Sequence, residues 1–191
     1  KSYLDVPSTA SRLVIADNVA LTLAGNLFID SPITQVANQG NVSFTAGHIT
    51  LRSPNQVINQ SLLDNAVSLQ GNGSLSINAN QIYIDGVTTI GGVNQTNLNA
   101  AFDIHGQGVR SFVQLGNIAT DGGLISNGQL NLTARQTYPE SGGRLTLRAL
   151  GANSQINVNA SQKSSTSVLA AGGTLNLQAN AINQNGVLTS P

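Results

Sequence analysis

Apolar and polar residues alternate in short bursts along this chain. Leu13-Val14-Ile15 is followed by Leu21-Thr22-Leu23, Leu27-Phe28-Ile29, Val42-Ser43-Phe44-Thr45-Ala46 and Ile49-Thr50-Leu51. Val67-Ser68-Leu69, Leu75-Ser76-Ile77-Asn78-Ala79 and Ile82-Tyr83-Ile84 continue the series. After a break it returns at Leu130–Ala134, Leu145–Ala149, Ile156–Ala160 and Leu175–Ala179. A period of two bounded by Gly and Asn predicts short strands with one buried face. No stretch holds helical spacing over three turns, and Gly and Asn recur too often for a long helix interior.

The bursts share a form: two apolar positions, a small Ala, a turn and a second short strand. Val42 leads to Ile49, Leu75 to Ile82 and Leu175 to Ile182 at one common offset. The Leu21 copy reaches Leu27 one residue early, and at Leu130 the matching place is Thr137. A single unit of this kind cannot bury its apolar face, but stacked units can. Strands so short cannot become parallel neighbours in a flat sheet without long crossovers. The expected fold is therefore all-β, a parallel β-helix (β-solenoid), formed by residues 1–191 as one segment of a longer rod. At about 20–25 residues per coil and ~4.8 Å per rung, eight or nine coils would make a rod of roughly 40 Å. The competing architecture is a β-sandwich, which has no reason to repeat this unit.

Three departures from the pattern are expected. Residues 1–12 read as a lead-in, because Pro7 and the Ser/Thr run discourage pairing. Residues 87–128 read as a less regular coil or loop excursion, with a strand near Ala101–Ile104 and a turn at Asp121-Gly122-Gly123. Residues 135–144, with Pro139 and Gly142-Gly143, read as a protruding loop or hairpin.

The segments LAAGGTLNLQANAINQNGVLTSP at the C-terminus, LNLTARQTYPESGGRLTLRA at 130–149 and GSLSINANQIYIDG at 73–86 carry a resemblance. In them the chain resembles the filamentous haemagglutinin family, the large exoproteins of two-partner secretion in Gram-negative bacteria. The resemblance implies a right-handed β-helix, secretion to the cell surface, and a role in adhesion, biofilm attachment or virulence. It also implies an outer-membrane transporter as partner, acting through regions outside this chain. The family's secretion domain carries Asn-Pro-Asn motifs, which are absent here; Ser53-Pro54-Asn55-Gln56 is a loose echo. The chain thus matches shaft, internal or C-terminal, and is expected to continue beyond Pro191.

Composition narrows the function. Charged residues are 8% and the net charge is +0, against about 25% charged in ordinary domains. No basic face exists for nucleic acid. No run approaches the roughly 18 apolar residues of a membrane span. There is no Cys, which removes disulfides and thiolate metal sites.

The candidate chemistry is sparse. Asp17, Asp30, Asp85 and Asp103 each follow a short apolar strand, as single acids without a paired neighbour in sequence. A polysaccharide-acting enzyme needs convergent carboxylates, and stacking would have to supply them, for instance by bringing Asp85 toward Asp103. The chain's two histidines, His48 and His105, fall short of the three or four ligands zinc requires. No catalytic, cofactor or metal residues are assigned. The densest charge, Arg135, Arg144 and Arg148 around Tyr138 and Glu140, is the candidate ligand-binding surface, suited to glycans or proteins of a host or matrix. The leading reading is a non-enzymatic adhesive shaft; the alternatives are a β-helix enzyme and a specific glycan-binding module.

Overall fold

In a computed structural model the chain is all-β, and no helix occurs among the described residues. The structure describes residues 2–5, 12–37, 39–53, 70–107, 109–112, 118–161 and 171–190. The first strands are β1 (Ser2–Asp5), β2 (Arg12–Ile15), β3 (Ala20–Thr22), β4 (Asn26–Asp30) and β5 (Ile33–Val36). Then come β6 (Asn41–Ser53), β7 (Gly73–Gly91), β8 (Val93–Ala100), β9 (Asp103–Gln107) and β10 (Val109–Phe112). The last are β11 (Ile118–Ala134), β12 (Gln136–Pro139), β13 (Arg144–Ala160), β14 (Thr174–Gln178) and β15 (Ala181–Gln184).

All fifteen belong to one sheet. Every pairing among the described residues is parallel except β10 with β11. The ladders run in three files. In the first file β1, β4, the end of β6, the middle of β7, β9 and β12 follow one another, and Leu188 bridges onto Thr137. The second takes β2, β5, the end of β7, the start of β11, the start of β13, and β14. The third takes β3, then the starts of β6 and β7, β8, the ends of β11 and β13, and β15. Successive segments pass from first to second to third file and return. This is the recurring path a β-solenoid requires, made from strands that the sequence pattern anticipates.

Alternation assigns the inside. Leu27 and Ile29, Ile49 and Leu51, Ile82 and Ile84, and Ile104 are buried along the first file. Val42 and Phe44, Leu75 and Ile77, Leu98, Leu130 and Leu132, and Ile156 and Val158 do the same along the third. Like residues stack on like, so Ile49, Ile82 and Ile104 lie in one column and each is 0% exposed. The equal offsets from Val42 to Ile49 and from Leu75 to Ile82 keep two files in register at once. Ala46, Ala100 and Ala134 are buried where the third file turns back to the first, as a small corner residue must be.

Several expectations are corrected. Residues 2–5 pair with β4 and are not a mere lead-in. Residues 87–107 are largely strand, because Thr88, Thr89 and Ile90 continue a ladder that sequence alternation does not advertise. Gly122 and Gly123 lie within β11, not in a turn. Residues 135–144 are not a protruding loop. Gln136–Pro139 is a strand paired with β9, since Pro139 sits at its end where a missing N–H costs nothing, and the turn is confined to 140–143. The expected strand Val67-Ser68-Leu69 lies outside the described residues. In the third file the segments number seven among the described residues, against the eight or nine coils expected. The rungs are longer than assumed: Phe44 faces Ile77 and Leu98 faces Leu132.

Outside the third file a ladder of side-chain amides ties rung to rung. Asn97 donates to Ser76 at 3.1 Å, Asn131 to Asn97 at 2.8 Å, Asn157 to Asn131 at 2.7 Å and Asn183 to Asn157 at 2.8 Å. Stacked amides recur at the strand spacing and satisfy both donor and acceptor. Asn157 is the middle of this chain of bonds. Its replacement by Ala removes two of them and is expected to cost about 1–2 kcal/mol, measured as a lower urea midpoint at unchanged slope.

Candidate functional site

The outer face of the first file collects most of the chemistry. Parallel register puts Phe28, Thr50, Tyr83, His105 and Tyr138 in one row, because their inward neighbours Leu27, Ile49, Ile82, Ile104 and Thr137 are in register. The rings touch: Tyr83 and His105 centroids are 5.9 Å apart, and His105 stacks on Tyr138 at 4.7 Å with a 29° tilt. His48, exposed, meets the Tyr83 ring edge-on at 6.4 Å. The Tyr83 hydroxyl donates to Gln81 Oε1 at 2.9 Å, which fixes the direction of that ring.

A second row runs beside the rings: Asp30, Arg52, Asp85 and Gln107, with Glu140 following Pro139 at its end. Arg52 Nε lies 3.4 Å from Asp30 Oδ2. Burial pushes the Asp85 carboxyl above its ordinary value of 3.8; Arg52 opposes this, while Asp30 and Glu140 add to it. On the other flank Asp103 is buried at 4% exposure and takes a two-pronged pair of bonds from Arg135, at 3.1 and 2.9 Å. These bonds raise the Arg135 pKa, and the guanidinium also lies 5.5 Å from the centre of the Phe102 ring. Burial likewise pushes the Tyr138 phenol up, helped by Asp103 and Tyr83.

The five residues of the expected binding surface are thus divided. Tyr138, Arg135 and Glu140 border the ring row. Arg135 is committed to Asp103 and serves as a structural clamp. Arg144 and Arg148 are on β13 in the second file, paired in register with β11 and β14. The residues that sequence reading passed over are Phe28, Thr50, Tyr83, Arg52 and Gln107. Their signal was the rung offset: Tyr83 and His105 are separated by the same 22 residues as Ile82 and Ile104. The anticipated approach of Asp85 to Asp103 is not realised, since the two occupy opposite flanks of the row. Asp17 lies in an exposed turn.

His105 makes the face sensitive to acid. Burial lowers its pKa from the ordinary 6.5, against the opposing pull of Glu140 and Asp103. Its Nε2 is shielded from solvent and has no hydrogen-bond partner. Below pH 6.5 the unfolded chain takes up this proton before the folded one, so stability falls as pH drops through the lowered folded pKa and is restored above 6.5. His105→Asn is expected to flatten the pH dependence of the melting temperature in that window, measured by thermal melts from pH 4 to 8.

Among the described residues no group of His, Asp and Glu is arranged to hold a metal ion. A cleft of about 220 Å³ opens on the ring row over Thr50. Comparison with protein-family models, curated proteins and solved structures finds no match to this chain.

Proposed function

We propose that the chain is a right-handed parallel β-helix acting as a structural and adhesive shaft of a secreted, cell-surface exoprotein. On this reading it belongs to a filamentous haemagglutinin-like protein of a Gram-negative bacterium, exported by an outer-membrane transporter that recognises regions outside the chain. The observation that carries the reading is the set of three parallel strand files over one continuous apolar interior. Such an interior makes a stiff spacer, because every rung is held by two neighbours. The outer surface is rich in amides and hydroxyls and poor in charge, which suits weak, repeated contacts with host or matrix glycans and proteins. The test is attachment. Beads coated with the chain should adhere to glycan-bearing or biofilm-matrix surfaces above beads coated with an inert protein of equal size; equal adhesion would sink the adhesive role.

One observation favours a second reading, a polysaccharide-acting enzyme. Asp30 and Asp85 share a row two rungs apart, roughly 10 Å, near the separation used by inverting glycosidases. Arg52 lies between them and draws Asp30 toward itself, which weakens the case for a free base there. New reducing ends after incubation with polysaccharides, lost in Asp85→Asn, would establish that reading instead.

A further inference from the structure

The row of rings on the first file has one gap. Phe28, Tyr83, His105 and Tyr138 are all flat and wide, whereas Thr50 is small, and it is over Thr50 that the cleft opens. Phe28 lies one rung to one side and Tyr83 one rung to the other, so the two are roughly 10 Å apart at the backbone. A flat-sided unit one ring thick fits between such walls. The Tyr83 wall is set in advance by its bond to Gln81 and its contact with His48.

Polar groups close the two ends of the notch. Arg52, Asp85 and Gln107 lie on one side, Asn26 and His48 on the other. They supply donors and acceptors at both ends of a ligand that is apolar on its faces. Among the described residues, no hydrogen-bond donor engages the Asp85 carboxylate, which leaves both its oxygens available to a ligand. A ligand with apolar faces and a rim of hydroxyls is a sugar ring. Charge selects further: Asp30 and Asp85 outnumber Arg52, so the notch disfavours anionic sugars.

We propose that this notch is a subsite for one pyranose unit of an uncharged glycan, held between Phe28 and Tyr83 over Thr50. The proposal rests on the adhesive reading above and gives it a place and a ligand class. A single shallow subsite binds weakly, and useful attachment would come from several units or several copies engaging together.

The experiment follows backbone amide and His and Tyr ring signals by NMR in the full chain. The probes are the methyl glycosides of glucose, galactose and N-acetylglucosamine, with methyl glucuronide as the charged comparison. Saturable shifts at Thr50, Tyr83 and Asp85 with at least one uncharged glycoside are expected, with glucuronide weaker. Thr50→Trp fills the notch and should weaken binding at least tenfold with an unchanged melting temperature. Asp85→Asn keeps the shape and should weaken it severalfold, which guards against a misfolded Trp variant. Gln129→Ser, on the third file, should bind as the parent does. Absence of saturable shifts with every uncharged glycoside, shifts centred elsewhere, or full binding by a folded Thr50→Trp variant would each overturn the proposal. Beads that adhere equally well with Thr50→Trp would refute the notch and leave the adhesive shaft standing. Sugar binding without bead adhesion would do the reverse.

Discussion

Phe44→Ala is expected to destabilise the protein by about 3–5 kcal/mol, the range for removing a buried aromatic ring. Phe44 is 2% exposed and heads the fully buried side chains by volume. It packs in register between Leu21 and Ile77 in the third file. In a stacked fold the cavity is shared by the rungs above and below, and no distant part of the core can shift to fill it. Urea denaturation should show a much lower midpoint, and hydrogen exchange should show faster opening at Leu21 and Ile77 than at Leu147. Phe44→Leu should recover most of the loss, since volume is nearly kept. A loss under about 1 kcal/mol would mean that this rung is not close-packed.

Gly92→Ala is expected to cost about 3–5 kcal/mol, although it adds one methyl group. Gly92 forms the corner between β7 and β8 with φ of 75°, a left-handed conformation that L side chains resist. A Cβ there would enter the van der Waals envelope of the Val36 carbonyl oxygen, and that obstacle is backbone. The conformational penalty and the overlap therefore add, and relief requires pulling two rungs apart. The check is the same denaturation experiment, with Gly142→Ala as comparison. Gly142 has φ of 68° but nothing within 4 Å of the added atom, so it should show the conformational penalty alone. Equal losses at the two positions would show that the close approach to Val36 contributes nothing.

The two substitutions differ in what the sequence says about them. Phe44 sits in an alternating run, so its burial is legible from its immediate neighbours in the chain. Nothing next to Gly92 in sequence distinguishes it from Gly71 or Gly91; its role appears only when Val36, 56 residues earlier, arrives beneath it. The repeat itself shows the same limit. Val42–Ala46 and Leu175–Ala179 look like equivalent copies with partners Ile49 and Ile182 at equal offsets. Yet Val42–Ala46 lies in the third file with Ile49 in the first, while Leu175 pairs with Leu145 in the second and Ile182 with Ile156 in the third. Leu21, aligned by eye with Val42, stands opposite Phe44.

What the sequence determined alone is the local grammar: short strands, one apolar face each, small residues at corners, and stacking as the way to bury what a single unit cannot. Alternation is a property of neighbouring residues and needs no partner to be read. What the tertiary structure decided is register: which wall each copy occupies, that 87–107 and 136–139 are strand, that Arg135 is spent on Asp103, and that rings from four rungs form a row with a gap at Thr50. Register depends on the length of every intervening segment and on packing between residues tens of positions apart. A run that satisfies any of three similar walls carries no local mark of the one it will join.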